Sequence, residues 1–179
     1  MSDSIITADI KGFSPNFLIV NSLIASVENC LQMCDLKVRV VGVTKIPILL
    51  PNAPITGLVG LGGTSTGFIS ITMPERVATL AVSGLSMEEH KLINAQVIDG
   101  VGEITNIIAG GVKTKLYNTP WMVSTITIPS VILGESYNIT YSKGIEYCSV
   151  TFEVDDPDTF TIQSRVFIVS ASLLQATAK

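Results

Sequence analysis

Apolar residues recur at intervals of three and four from Phe17 through Val20, Ile24, Val27, Leu31 and Cys34, the period of an amphipathic helix. Ser14-Pro15 ahead of them reads as an N-cap with a first-turn proline, and Asp35 marks the end. The period then shortens to two. Leu36, Val38 and Val40 alternate with Lys37 and Arg39, as in a half-exposed strand. After a proline-rich link, Ile55 to Leu61, Gly62-Gly63 and Thr66 to Met73 predict a hairpin with a glycine turn. Pro74-Glu75 opens a short helix with Val77, Leu80 and Ala81 on its apolar face and Gly84 as its stop. Ser86-Met87-Glu88-Glu89 has the spacing of a capping box and predicts a long helix from about Met87 to Tyr117, ended by Pro120.

The remainder reads as β-structure. Strands are predicted over Trp121 to Ile128, around Val131, over Gly144 to Val154 and over Phe160 to Ser170, with a turn at Asp155-Asp156-Pro157-Asp158. From about Leu173 the chain reads as a frayed or helical tail. The expected fold is α/β in the broad sense, an α+β sandwich. A mixed sheet of about six strands carries long helices packed on one face. The whole chain, 1–179, is expected to be one domain with its core over about 15–170.

Composition sharpens this reading. The chain is 47% hydrophobic and only 15% charged, against about 25% charged in an average domain. That excess of apolar residues points to a subunit interface. It does not point to a membrane span, because the charge-free run between Lys45 and Glu75 is broken by prolines and glycines. No basic and apolar leader opens the chain, so a cytoplasmic protein is expected. A net charge of −4 and scattered basic residues argue against nucleic acid as a partner. Cys30, Cys34 and Cys148 do not form a disulfide framework and read as small buried residues. His90 is the only histidine, so neither a zinc site nor a histidine-activated nucleophile is expected. Gly60-Leu-Gly-Gly63 lacks the Gly-Lys-Ser/Thr of a phosphate loop and reads as a hairpin turn.

The long helix carries two stripes. Val97, Val101, Ile104, Ile108 and Val112 form the buried one. Asp99, Glu103, Asn106, Gly110 and Lys113 share roughly an 80° sector at 100° per residue. Gly102, Gly110 and Gly111 each cost the helix about 1 kcal/mol relative to alanine, so something is expected to pack closely there. A polar stripe of this kind is also what a solvated helix face looks like. If it is used, the chemistry of its residues is specific. A carboxylate accepts hydrogen bonds or pairs with a cation, and a primary amide can hold a water in a fixed orientation. Such a pair suits positioning rather than proton transfer, and phosphoryl transfer to water depends largely on positioning.

Asp99-x3-Glu103-x2-Asn106-x22-Pro129 resembles the signature of the CheC/CheX/FliY chemotaxis phosphatases. The single motif copy and the run from Ile107 to Leu116 are most similar to the CheX branch, and the resemblance extends over roughly residues 15 to 155. Glu-x2-Asn alone arises by chance in roughly one chain in three of this length; Asp99 and Pro129 at fixed offsets lower that by a factor of several hundred. The first helix reads Glu28-Asn29-Cys30-Leu31 and lacks the second motif copy of two-site relatives.

The resemblance implies hydrolysis of the aspartyl phosphate on a CheY-type receiver domain. It implies that Asn106 orients the attacking water, that Glu103 bridges to the receiver's lysine, and that Asp99 and Pro129 support the site. Gly110 and Lys113 become the candidate docking face. No cofactor is expected on this chain, and Mg²⁺ is expected on the receiver. A homodimer through β-structure is also implied. A non-catalytic module that binds a phospho-receiver or another adaptor on the same face is the alternative.

Overall fold

The computed structural model describes residues 16–134 and 144–175. Helix α1 (Phe17–Met33) is followed by β1 (Val38–Thr44), the hairpin β2 (Ile55–Gly63) and β3 (Ser65–Met73), then α2 (Glu75–Ser86) and α3 (Ala95–Lys115). Strands β4 (Val123–Ile126), β5 (Ser130–Leu133) and β6 (Glu146–Val154) come next. A 3-10 turn (Ile162–Ser164) then leads into β7 (Val166–Gln175).

The strands form one seven-stranded sheet in the order β1-β6-β7-β3-β2-β4, with β5 also on β2. Every pairing is antiparallel, so the sheet is not mixed as expected, and it has one strand more. Helices α2 and α3 carry the chain from β3 to β4, which lie on opposite sides of β2, so no helix joins two adjacent strands as a parallel pair requires.

One face of the sheet is apolar. Ile55, Val59, Ile69, Ile71, Val150, Phe152, Phe167 and Val169 are fully buried on it. Phe152 and Phe167 are cross-strand partners with stacked rings, centroids 5.2 Å apart. Helices α1 and α3 lie over this face side by side. Ser26 of α1 meets Gly111 of α3, and the Cys30 thiol lies 3.9 Å from the Ile104 carbonyl, so the two helices run in opposite directions. The predicted α3 stripe is buried throughout: Val97, Val101, Ile104, Ile108 and Val112 are each 0% exposed. Each contributes about 1.5–3 kcal/mol of burial.

Several boundaries differ from the sequence reading. Ser14 and Pro15 lie outside the described residues; the α1 cap is Asn16, whose side chain accepts from the Ile19 N–H. Phe17, expected on the buried face, is 52% exposed, and Ile19 and Leu23 take its place. Gly84 does not stop α2. It lies against the Cys34 carbonyl, where a side chain would overlap, and the helix ends two residues later with Met87 in the left-handed conformation. The Ser86 hydroxyl accepts from the Glu88 N–H at the end of α2 rather than starting the next helix. Helix α3 begins at Ala95, where Asn94 accepts from the Val97 N–H. The sequence from Leu173 is not a tail: Leu173 pairs with Gly67 on one side and Glu146 on the other. Among the described residues no helix is long and apolar enough to cross a membrane.

Candidate functional site

Helix α3 is held from three sides through glycines. A side chain at Gly100 would meet Val82 of α2 at 2.6 Å, and one at Gly111 would meet the Ser26 hydroxyl of α1 at 2.7 Å. The third contact is with the sheet, where a side chain at Gly57 of β2 would overlap the Thr105 hydroxyl. The glycine content read from the sequence therefore reflects close packing at Gly100 and Gly111. Gly110 differs, since a side chain there would meet nothing within 4 Å.

The polar stripe faces outward. Asp99 and Glu103 are exposed; Asn106, Gly110 and Lys113 are half-buried. The side chains of Asp99, Glu103 and Asn106 make no hydrogen bond or ion pair with any described residue. A carboxylate and an amide one turn apart, both with open hydrogen-bonding capacity, stand on a helix whose opposite side is locked into the core. The basic end of the stripe, Lys113 with Lys115, lies in the last helical turn, where positive charge complements the helix dipole.

Pro129 is far from this stripe in sequence and adjacent in space. Strands β4 and β5 pair with successive stretches of the same β2 edge, Leu61 opposite Ile126 and Leu58 opposite Ser130. Between those pairs, Val59 and Gly60 face three residues, Thr127, Ile128 and Pro129, so one residue is extra and the strand bulges. Thr127 secures the bulge. Its N–H donates to the Gly60 carbonyl at 2.9 Å, and its hydroxyl accepts from the Gly60 N–H at 2.8 Å. Ile128 is thrown outward, 88% exposed. Pro129 turns inward, its Cγ 3.7 Å from where a side chain at Gly102 would begin. The proline thus flanks α3 at the residue before Glu103. The structure brings Glu103, Asn106 and Pro129 to one region, with Asp99 one turn before Glu103. Gly110 and Lys113 extend the stripe towards the other end of α3.

The three cysteines are buried. Hydrogen bonding with Cys34, then burial, push the Cys30 thiol well above its ordinary value, and the Glu103 charge adds to this. A thiol kept protonated is no nucleophile. Elsewhere, a cleft of 390 Å³ is lined by Lys37, Arg39, Glu153, Asp155 and Arg165. The Glu153 carboxylate in it is already held between Arg39 at 2.6 Å and Arg165 at 3.0 Å.

Comparison with known proteins bears on the family and the fold. The family model described as chemotaxis phosphatase CheX matches residues 55–153. The crystal structure of the chemotaxis protein CheX from Vibrio vulnificus superposes with a TM-score of 0.71 at 25% identity, over 87% of this chain and 98% of that one. A CheC-like superfamily protein from Shewanella gives 0.71 at 22% identity, over 88% and 98%. The CheX–CheY–BeF3–Mg²⁺ complex from Borrelia burgdorferi gives 0.68 at 23% identity, over 90% and 99%. A comparison with the sequences of curated proteins finds no match.

Proposed function

The chain belongs to the CheX family of chemotaxis phosphatases, and from that premise we propose that Glu103 and Asn106 are the residues through which it acts. The reaction is hydrolysis of the aspartyl phosphate on a CheY-type receiver. Water attacks phosphorus, the bond to the aspartate oxygen breaks, and inorganic phosphate leaves. The observation that carries the residue assignment is the Glu103–Asn106 pair, unpartnered among the described residues, on the outward side of a helix pinned from three sides.

The Asn106 amide holds the attacking water in line with the scissile bond, its oxygen accepting from the water O–H so that a free lone pair faces phosphorus. Glu103 accepts from the lysine of the receiver and seats the helix in the receiver's active site. Mg²⁺ belongs to the receiver and, when bound there, offsets charge on the phosphoryl oxygens. Asp99 and Pro129 support the pair, and Gly110 with Lys113 extends the docking face. This chain contributes orientation and takes no proton itself.

The protein works in the cytoplasm, where phospho-receivers are found, as a homodimer. Support for the dimer comes from β1, which among the described residues pairs only with β6. Val40, Val41, Ile46, Ile48 and Leu49 on and after it are exposed. Sedimentation velocity tests this, and a monomer at micromolar concentration would refute it.

The decisive experiment measures loss of phosphate from a phosphorylated CheY-type receiver in Mg²⁺, with and without this protein. Acceleration that vanishes in Asn106→Ala while binding persists is the expected result. Binding without acceleration by the unaltered protein would identify a sequestering module instead, and full acceleration by Asn106→Ala would remove that residue from the mechanism.

A further inference from the structure

Gly57 lies inside β2, paired with Ile71 on one side and Val131 on the other. Glycine inside a strand gives up packing and backbone entropy, and it often marks a place where another element approaches closely. Here the approaching element is α3, at Thr105. Thr105 is 0% exposed, and its hydroxyl donates to the Val101 carbonyl at 2.6 Å. That bond and the branched Cβ hold the side chain in one rotamer. A methyl group at Gly57 would overlap the Thr105 hydroxyl oxygen, approach the Thr105 Cβ to 3.0 Å and approach the Ile71 Cγ2 to 3.2 Å. The hydroxyl cannot swing aside without losing its hydrogen bond to the Val101 carbonyl in a buried place.

We infer that Gly57 and Thr105 form the seat that sets the height of α3 above the sheet, making Gly57 a positioning residue for the hydrolysis. This rests on the reading of Glu103 and Asn106 given above. Thr105 falls between them in sequence, on the side turned to the sheet. The helix is a rigid rod, so lifting it at Thr105 displaces both residues together. Gly100 and Gly111 fix the helix laterally against α2 and α1; at Gly57 the helix comes so close to the sheet that even a methyl group is excluded. The reaction depends on where a water is held, and a displacement of about 1 Å can cost roughly a hundredfold in rate.

The test uses the full chain and a phosphorylated receiver. Gly57→Ala is expected to lower kcat at least tenfold while KM stays within about threefold, because docking through the exposed face survives better than alignment of the water. Gly57→Ala/Thr105→Ala, with the obstructing hydroxyl gone, is expected to recover kcat to within about threefold of Thr105→Ala alone. Wild-type kcat in Gly57→Ala would overturn the inference, as would a folded double variant that stays slow. If Gly57→Ala does not fold, the comparison moves to the Thr105→Ala background. There alanine at position 57 should keep kcat and valine should lose it; equal rates would refute the seat. If the unaltered protein accelerates no receiver, the phosphatase reading fails separately. Crystal structures of the Thr105→Ala variants then decide the seat, α3 standing higher with valine than with alanine at position 57 if it exists and level if it does not.

Discussion

The ring of Pro129 stands against Gly102, with 3.7 Å between its Cγ and the position where a Gly102 side chain would start. The two residues are distant in sequence and belong to different elements. Their contact exists because the strand pairing with β2 takes an extra residue just before β5, which points Ile128 out and Pro129 in. The proline, lacking an N–H, suits a place where the ladder is interrupted.

Replacing Pro129 by Ala should therefore affect the site more than the fold. Stability is expected to change by about 1 kcal/mol or less. Turnover on a phospho-receiver should drop roughly tenfold, because the flank of α3 beside Glu103 loses its wall. Denaturant unfolding and turnover measured on the same preparation separate the two effects. Full turnover in Pro129→Ala would show that the ring plays no part.

Two neighbouring glycines should respond with opposite signs. At Gly110 a new methyl meets nothing, so Gly110→Ala should stabilise α3 by up to about 1 kcal/mol through helix propensity. At Gly111 it would fall 2.9 Å from the Ser26 Cβ, and Gly111→Ala should destabilise by about 1–3 kcal/mol through overpacking against α1. Urea unfolding midpoints report both. The same sign for both variants would contradict the packing. With Gly110 on the docking face, Gly110→Ala should also weaken receiver binding despite its higher stability.

Acid should destabilise the protein partly through Asp156. Its side chain is 6% exposed and is paired with Arg76, Nε 2.8 Å from Oδ2. That pairing, with hydrogen bonds from Thr159 and the Asp158 N–H, holds the carboxyl at about 2, below its ordinary 3.8. A carboxyl depressed by folding stabilises the native state above the unfolded value, and that contribution is lost as pH falls from about 4 to 2. It amounts to about 2 kcal/mol. The stability difference between wild type and Asp156→Asn should accordingly shrink towards zero over that interval. A difference that stays constant with pH would show that the pair does not titrate in this way.

The periodic parts of the chain are legible in the order of its residues. The stripe from Val97 to Val112 is apolar at every third or fourth position, and all five residues are buried. The hairpin of β2 and β3 follows from alternation around a glycine turn. Boundaries are less legible where two local signals compete. Ser86-x2-Glu89 has the form of a cap, yet Ser86 belongs to the helix before it, and Asn94 performs the capping. Leu173-Leu174 carries no strand signature, but both neighbours of β7 supply hydrogen-bonding partners there.

By itself the sequence determined that α3 has one apolar and one polar face, and that Asp99, Glu103 and Asn106 share the polar one, because helical geometry depends only on local spacing. Which glycines are tightly packed and which is open, how Pro129 comes to stand beside Gly102, and how Gly57 meets Thr105 were decided only by the tertiary structure. Those contacts join segments separated by tens of residues, and no local period records which strand edge or neighbouring helix a residue will meet.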